Sequence, residues 1–135
     1  VRLIKEKTYE VLSAAEAALV KSGTTTLETA LLNVPQVVCY KGDFFSMLIS
    51  WILVKVKYIS LVNLIMDYEV VKELLQYKVN KRNLVKELRS VLPGGEKREK
   101  IIAGYKILKE KLGPEGASGR IAAEMVRELR GSNLT

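Results

Sequence analysis

The chain has 135 residues, of which 48% are hydrophobic, and a formal net charge of +7. That length suits one globular domain burying about two-thirds of its unfolded surface. With no histidine and one cysteine, histidine general bases, His-containing metal sites, Cys-His dyads and an internal disulfide are excluded from it.

Cys39 lies in the apolar run Val37-Val38-Cys39-Tyr40, where a buried thiol is the simplest reading and a reducing cytoplasm fits. The charge is uneven. Residues 1–77 carry eight basic and eight acidic side chains, and residues 78–135 carry fourteen against seven. Such a surplus marks either solvated helix faces or attraction to phosphates, on a ligand or an anionic membrane. No RNP-type aromatic motif or zinc-finger spacing accompanies it, so nucleic acid is not expected as a partner.

In chain order, Arg2-Leu3-Ile4 reads as a short strand. With no initiator Met and no signal-peptide pattern before it, the chain is expected to be a piece of a longer polypeptide. A helix is expected over Thr8–Ala15 with Thr8 as N-cap, a buried strand over Ala17–Val20, and a helix over Thr26–Leu32. Asn33 and Pro35 end that helix, and Gln36–Tyr40 gives the next strand. Strand, helix, strand implies a βαβ crossover and a parallel sheet.

Residues 44–54 (FFSMLISWILV) hold no charge. As a helix they span ~17 Å, short of a ~30 Å hydrocarbon core. Burial is the default for this segment, and a membrane interface the alternative, because Lys41, Lys55 and Lys57 sit only at its ends. Lys57–Leu61 is expected as a strand and Glu69–Gln76 as a helix. Further helices are expected over Lys81–Val91, Glu96–Leu112 and Ala117–Leu129, separated by Pro93-Gly94-Gly95 and Gly113-Pro114-Glu115-Gly116. Ile101, Tyr105, Leu108 and Leu112 form one helical stripe.

The segment able to carry chemistry is Ser22-Gly23-Thr24-Thr25-Thr26-Leu27-Glu28. A turn leaving a buried strand and entering a helix presents unpaired N–H groups and a favourable dipole to an anion. Gly23 permits close backbone approach, and Ser22, Thr24, Thr25 and Thr26 add hydroxyls. In open α/β sheets ligands bind beyond the carboxyl ends of strands, where this turn falls. Thr25-x-x-Glu28 also fits a capping box, in which Glu28 only satisfies the Thr25 N–H. Alternatively, with a diphosphate at the helix start, Glu28 is free to accept hydrogen bonds from a ribose. The Gly-Lys-Ser/Thr ending of a P-loop and the Gly-x-Gly-x-x-Gly turn are both absent.

SGTTTLETALLNVPQVVCYK (22–41), LVKVKYISLVNLI (53–65) and VVKELLQ (70–76) closely resemble the C-terminal half of lipid-A-disaccharide synthases. The similarity has specific motifs over residues 8–77 and continues more loosely beyond. The first segment alone suggests the broader class of two-domain, GT-B-type glycosyltransferases; the other two narrow it. The resemblance implies an α/β fold: a Rossmann-like parallel sheet with flanking helices, the C-terminal half of a GT-B fold, ending in several helices. Residues 1–92 would form a partial nucleotide-sugar-binding domain. Residues 93–135 would be helices packing on it, on the absent N-terminal domain or on a partner subunit.

It further implies transfer of 2,3-diacylglucosamine from UDP-2,3-diacylglucosamine to 2,3-diacylglucosamine 1-phosphate, with release of UDP. No cofactor or metal is implied. The expected location is cytoplasmic, peripheral on the inner face of the inner membrane, and an oligomer is compatible with the pattern. By position, Ser22, Gly23, Thr24 and Thr25 would contact the diphosphate and Glu28 the ribose, with Asn63 and Gln76 near the donor. Where the family pattern has Pro-Asn, this chain has Val62-Asn63, which relaxes the backbone restriction before Asn63. The acceptor domain and catalytic acid/base would lie N-terminal to Val1, and Glu73 reads as an exposed helix carboxylate. The fragment is therefore expected to bind without catalysing. The competing readings are a non-catalytic basic module docking on an acidic membrane or protein, and another GT-B UDP-sugar enzyme.

Overall fold

A computed structural model describes residues 4–42 and 57–113. Its elements are α1 (Thr8–Ala14), β1 (Ala18–Lys21), α2 (Thr25–Leu31), β2 (Gln36–Tyr40), α3 (Leu61–Met66), β3 (Lys72–Leu75), α4 (Lys81–Val91) and α5 (Arg98–Leu112). A single 3-10 turn, Gln76–Lys78, joins β3 to α4. The apolar 44–54 segment and the helix over Ala117–Leu129 lie outside the described residues, as does the expected strand Arg2-Leu3-Ile4 except for Ile4, which is not in a strand.

The three strands form one parallel sheet in the order β1-β2-β3. Val20 pairs with Val38 and Cys39 with Leu74. The fold is α/β and Rossmann-like, as expected. Central β2 is apolar almost throughout because it is covered on both faces; Val37 and Val38 are fully buried. The Gln36 amide reaches Thr26 and Tyr105, so by strand alternation Val38 and Tyr40 share that face and Val37 and Cys39 take the other.

Helix α5 joins the same core. Ile101, Tyr105, Leu108 and Leu112, the expected stripe, are all buried against a cluster that includes Leu27, Val37, Val62 and Leu74. Gly104 explains how closely α5 sits: a Cβ there would lie 2.6 Å from Val70 Cγ1. Cys39 is half-buried, and desolvation pushes its thiol pKa up.

Two expected elements are wrong, and one cap. Lys57–Leu61 is not a strand: Ser60 is the N-cap of α3, its hydroxyl accepting from the Asn63 N–H at 3.3 Å. Glu69–Gln76 is not a helix, for Lys72–Leu75 is strand β3. The pattern of Val70-Val71-x-x-Leu74, all buried, matched helical spacing, but the edge of β2 left free by β1 takes Lys72–Leu75 as its parallel partner, Val37 to Tyr40 pairing with Lys72 to Leu75. Thr8 is the first residue of α1 rather than its cap, a position Lys7 holds with no side-chain hydrogen bond.

Candidate functional site

The carboxyl edge of the sheet brings three chain segments together. Beyond β1 come Ser22-Gly23-Thr24, beyond β2 Lys41-Gly42, and beyond β3 Gln76. The Ser22 N–H extends the ladder by donating to the Cys39 carbonyl at 3.2 Å. Gly23 then turns with φ 149°, a conformation closed to side chains, and an added Cβ would meet no heavy atom within 4 Å. Glycine is needed here for backbone conformation, and the space beside it is open.

The turn directs its acceptors inward. The Gly23 carbonyl accepts from the Thr26 N–H (3.2 Å) and hydroxyl (2.8 Å), and the Thr24 carbonyl from the Leu27 and Glu28 N–H groups. The Thr25 carbonyl accepts from the Thr29 hydroxyl at 2.7 Å. Its donors are unused: among the described residues the N–H groups of Gly23, Thr24 and Thr25 and the hydroxyls of Thr24 and Thr25 have no acceptor. A run of donors over carbonyls already satisfied is suited to an anion. Thr26, expected to add a hydroxyl, does not contribute one; it is fully buried and committed to Gly23.

The capping box does not form. Thr24 is the N-cap, holds helical dihedrals (φ −60°, ψ −28°) and makes no side-chain cap bond, whereas a capping side chain needs an extended backbone at that residue. Glu28 is half-buried, and its Oε1 accepts from the Tyr9 hydroxyl at 3.0 Å. That hydrogen bond, followed by the carboxylate's charge, raises the pKa of Tyr9 above its ordinary value of 10.0. A carboxylate has about four acceptor positions, so one bond from Tyr9 leaves room for two more.

Asn63 is fully buried. Its Oδ1 accepts from the Val70 and Val71 N–H groups (2.8 and 3.0 Å), and its Nδ2 donates to the Val71 carbonyl and to Glu73 (2.8 and 2.9 Å). It offers no surface to a ligand and instead ties α3 to the entry of β3. Val62, in place of the proline, is helical and fully buried. A first-turn position has no intrahelical acceptor to lose, so the helix starts equally well with either residue. Gln76 sits at φ 49° with its Nε2 3.3 Å from the Gly42 carbonyl, linking the ends of β2 and β3.

Sequence reasoning missed Tyr9, Ser60 and Glu73. Glu73 is a half-buried strand residue, not an exposed helix carboxylate. It accepts from the Ile59 N–H, the Ser60 N–H, the Ser60 hydroxyl (2.7 Å) and Asn63 Nδ2. A serine directly before the apolar run 61–66 is an N-cap signal that could have found Ser60; nothing local points to Glu73. Among the described residues no cluster of acids and cysteine could hold a metal, and no helix is long and apolar enough to cross a membrane. A shallow depression on α4, lined by Lys81, Arg82, Val85, Lys86 and Arg89, shares no residue with the turn.

Comparison with known proteins bears on all of this. A family model described as lipid-A-disaccharide synthetase matches residues 1–125. The lipid-A-disaccharide synthase of Syntrophus aciditrophicus (strain SB) is 39% identical over 133 residues, 98% of this chain and 35% of that protein. Those of Anaeromyxobacter dehalogenans (strain 2CP-C) and Nitrosococcus oceani are 38% and 37% identical over 96% and 98% of this chain, each covered over 34% of its own length. The chain thus spans about a third of the length of the curated relatives it matches.

Proposed function

Since the chain belongs to the lipid-A-disaccharide synthetase family, we propose that it forms the donor-nucleotide side of a glycosyltransferase making the lipid A disaccharide. The donor is UDP-2,3-diacylglucosamine, the acceptor 2,3-diacylglucosamine 1-phosphate, and UDP leaves. The observation that carries the reading is the Ser22–Thr25 turn: unpaired donors beside an open glycine, at the carboxyl edge of a parallel sheet.

In this reading Ser22, Gly23, Thr24 and Thr25 hold the diphosphate through backbone N–H and hydroxyl groups. Glu28, steadied by Tyr9, accepts from the ribose hydroxyls. A carboxylate is suited to that partner and unsuited to phosphate, since like charges repel. Gln76 stands across the edge, where it tethers the segment after β2. Asn63 contributes by fixing the start of α3 rather than by touching the nucleotide. The reacting acid and base belong to the rest of the full-length enzyme, which binds at the cytoplasmic face of the inner membrane. The cations around Val85 on α4 support contact with anionic lipid there.

Calorimetric titration of the full-length protein with UDP tests the site. Glu28→Ala is expected to weaken UDP about tenfold, the loss of one or two charge-assisted hydrogen bonds; unchanged affinity removes the ribose role. Liposome sedimentation tests the membrane contact, expected to rise with anionic lipid and to fall when Lys81, Arg82, Lys86 and Arg89 are replaced by glutamine.

A further inference from the structure

Glu73 presents a puzzle of charge. It is half-buried, and among the described residues no lysine or arginine pairs with it. Every group facing it is instead a neutral donor: the Ile59 N–H at 3.1 Å, the Ser60 N–H at 2.9 Å, the Ser60 hydroxyl at 2.7 Å and Asn63 Nδ2 at 2.9 Å. Capping α3 does not require this. The Ser60 hydroxyl already accepts from the Asn63 N–H, and the Asn63 amide is already held by residues 70 and 71. What the carboxylate adds is a grip on the Ile59 peptide, upstream of the helix.

Ile59 faces two ways. Its N–H is bound by Glu73, and its carbonyl accepts from the Ser22 hydroxyl at 3.4 Å, a long contact that ligand binding can exchange. Ser22 opens the turn whose next three N–H groups are unpaired. A carboxylate with charge-assisted bonds on both oxygens holds a peptide more firmly than a neutral acceptor does. The chain of contacts Glu73–Ile59–Ser22 therefore runs from the third strand to the turn after the first.

We propose that Glu73 is a positioning residue for the nucleoside-diphosphate site: through the Ile59 peptide it sets where Ser22 stands, and so the geometry of the Ser22–Thr25 donors. This rests on the donor-site reading above. Glutamine at 73 would keep the size but lose the charge, and would turn an NH2 group toward the Ile59 N–H, donor against donor.

The test is UDP titration of the full-length protein in four forms besides wild type: Glu28→Ala, Ser22→Ala, Glu73→Gln and the Ser22→Ala/Glu73→Gln pair. Thermal unfolding is followed in parallel. Glu73→Gln is expected to weaken UDP about tenfold, and the pair is expected to be little weaker than Glu73→Gln alone, because both act on one relay. A purely structural Glu73 would lower the unfolding temperature and leave UDP affinity within twofold, and that result overturns the proposal, as does full additivity in the pair. If Glu73→Gln does not fold, Ser60→Ala removes one of the carboxylate's donors and should weaken UDP about threefold; unchanged affinity again overturns it. Wild-type protein that does not bind UDP sinks the donor-site reading and this inference together. UDP binding that Glu28→Ala weakens and Glu73→Gln spares sinks this inference alone.

Discussion

The two edges of the sheet are built to opposite specifications. At the amino edge, polar side chains of helix α5 reach across to oxygen acceptors on four other segments. Arg98 Nη1 donates to the Glu16 and Val91 carbonyls, the Tyr105 hydroxyl to the Val34 carbonyl at 3.1 Å, Lys109 to the Asn33 side chain, and Lys111 to the Ile65 carbonyl at 2.7 Å. At the carboxyl edge the turn after β1 satisfies the Gly23, Thr24 and Thr25 carbonyls and leaves the N–H groups of those three residues open. A sheet held shut at one edge can keep unpaired donors at the other without losing its shape. The basic residues of α5 are accordingly divided, Arg98 and Lys111 being bound to main-chain carbonyls and Lys109 to the Asn33 side chain.

This division predicts that substitutions at the amino edge change stability and those at the carboxyl edge change affinity. Leu108→Ala should have the largest effect, about 2–5 kcal/mol of stability for a fully buried leucine; UDP affinity of the folded protein should stay within twofold. Chemical denaturation and titration of the same sample measure both. Gly104→Ala should cost about 1–3 kcal/mol, because the new methyl must displace Val70 or the whole of α5. If it is neutral, α5 does not sit as closely as described.

Tyr105→Phe sharpens the comparison through pH. The hydroxyl donates to Val34 and accepts from Gln36 Nε2, so its loss should cost about 1–3 kcal/mol at neutral pH. Burial raises the Tyr105 pKa above its ordinary value of 10.0. A phenol whose folded pKa exceeds its unfolded one contributes stability fully below the unfolded value and loses it as pH rises from there toward the folded value. Wild type should therefore lose stability above about pH 10 more steeply than Tyr105→Phe; parallel pH curves would contradict the burial of that hydroxyl. The smallest stability effect belongs to Glu28→Ala, under about 1 kcal/mol, since it removes one hydrogen bond to an exposed tyrosine. A larger loss of stability than of UDP affinity would erase the distinction between the edges.

Much of this was legible in the sequence where local chemistry and tertiary context agree. The β1–α2–β2 unit followed from an apolar run, a Ser-Gly turn and the Asn33–Pro35 stop, and α4 occupies the expected range Lys81–Val91, with an Asn80 cap that the sequence reading did not name. The family was legible in three motifs. What failed was context-dependent. Glu69–Gln76 carries a helix-compatible pattern, and pairing along the free edge of β2 makes Lys72–Leu75 a strand. Glu73 looked like a solvated charge because the donors around it come from residues 59–63, ten or more positions earlier. Thr25 and Glu28 had capping-box spacing, yet the helical dihedrals of Thr24 begin α2 differently and Tyr9 takes the carboxylate.

The central claim is that the unpaired donors of the Ser22–Thr25 turn receive the diphosphate. Amide hydrogen exchange in the full-length protein, with and without saturating UDP, tests it most directly. UDP is expected to slow exchange at Gly23, Thr24 and Thr25 at least about tenfold, as free N–H groups gain acceptors, while Arg98–Leu112 is unchanged. UDP binding that leaves those three amides exchanging at their free rate would contradict it.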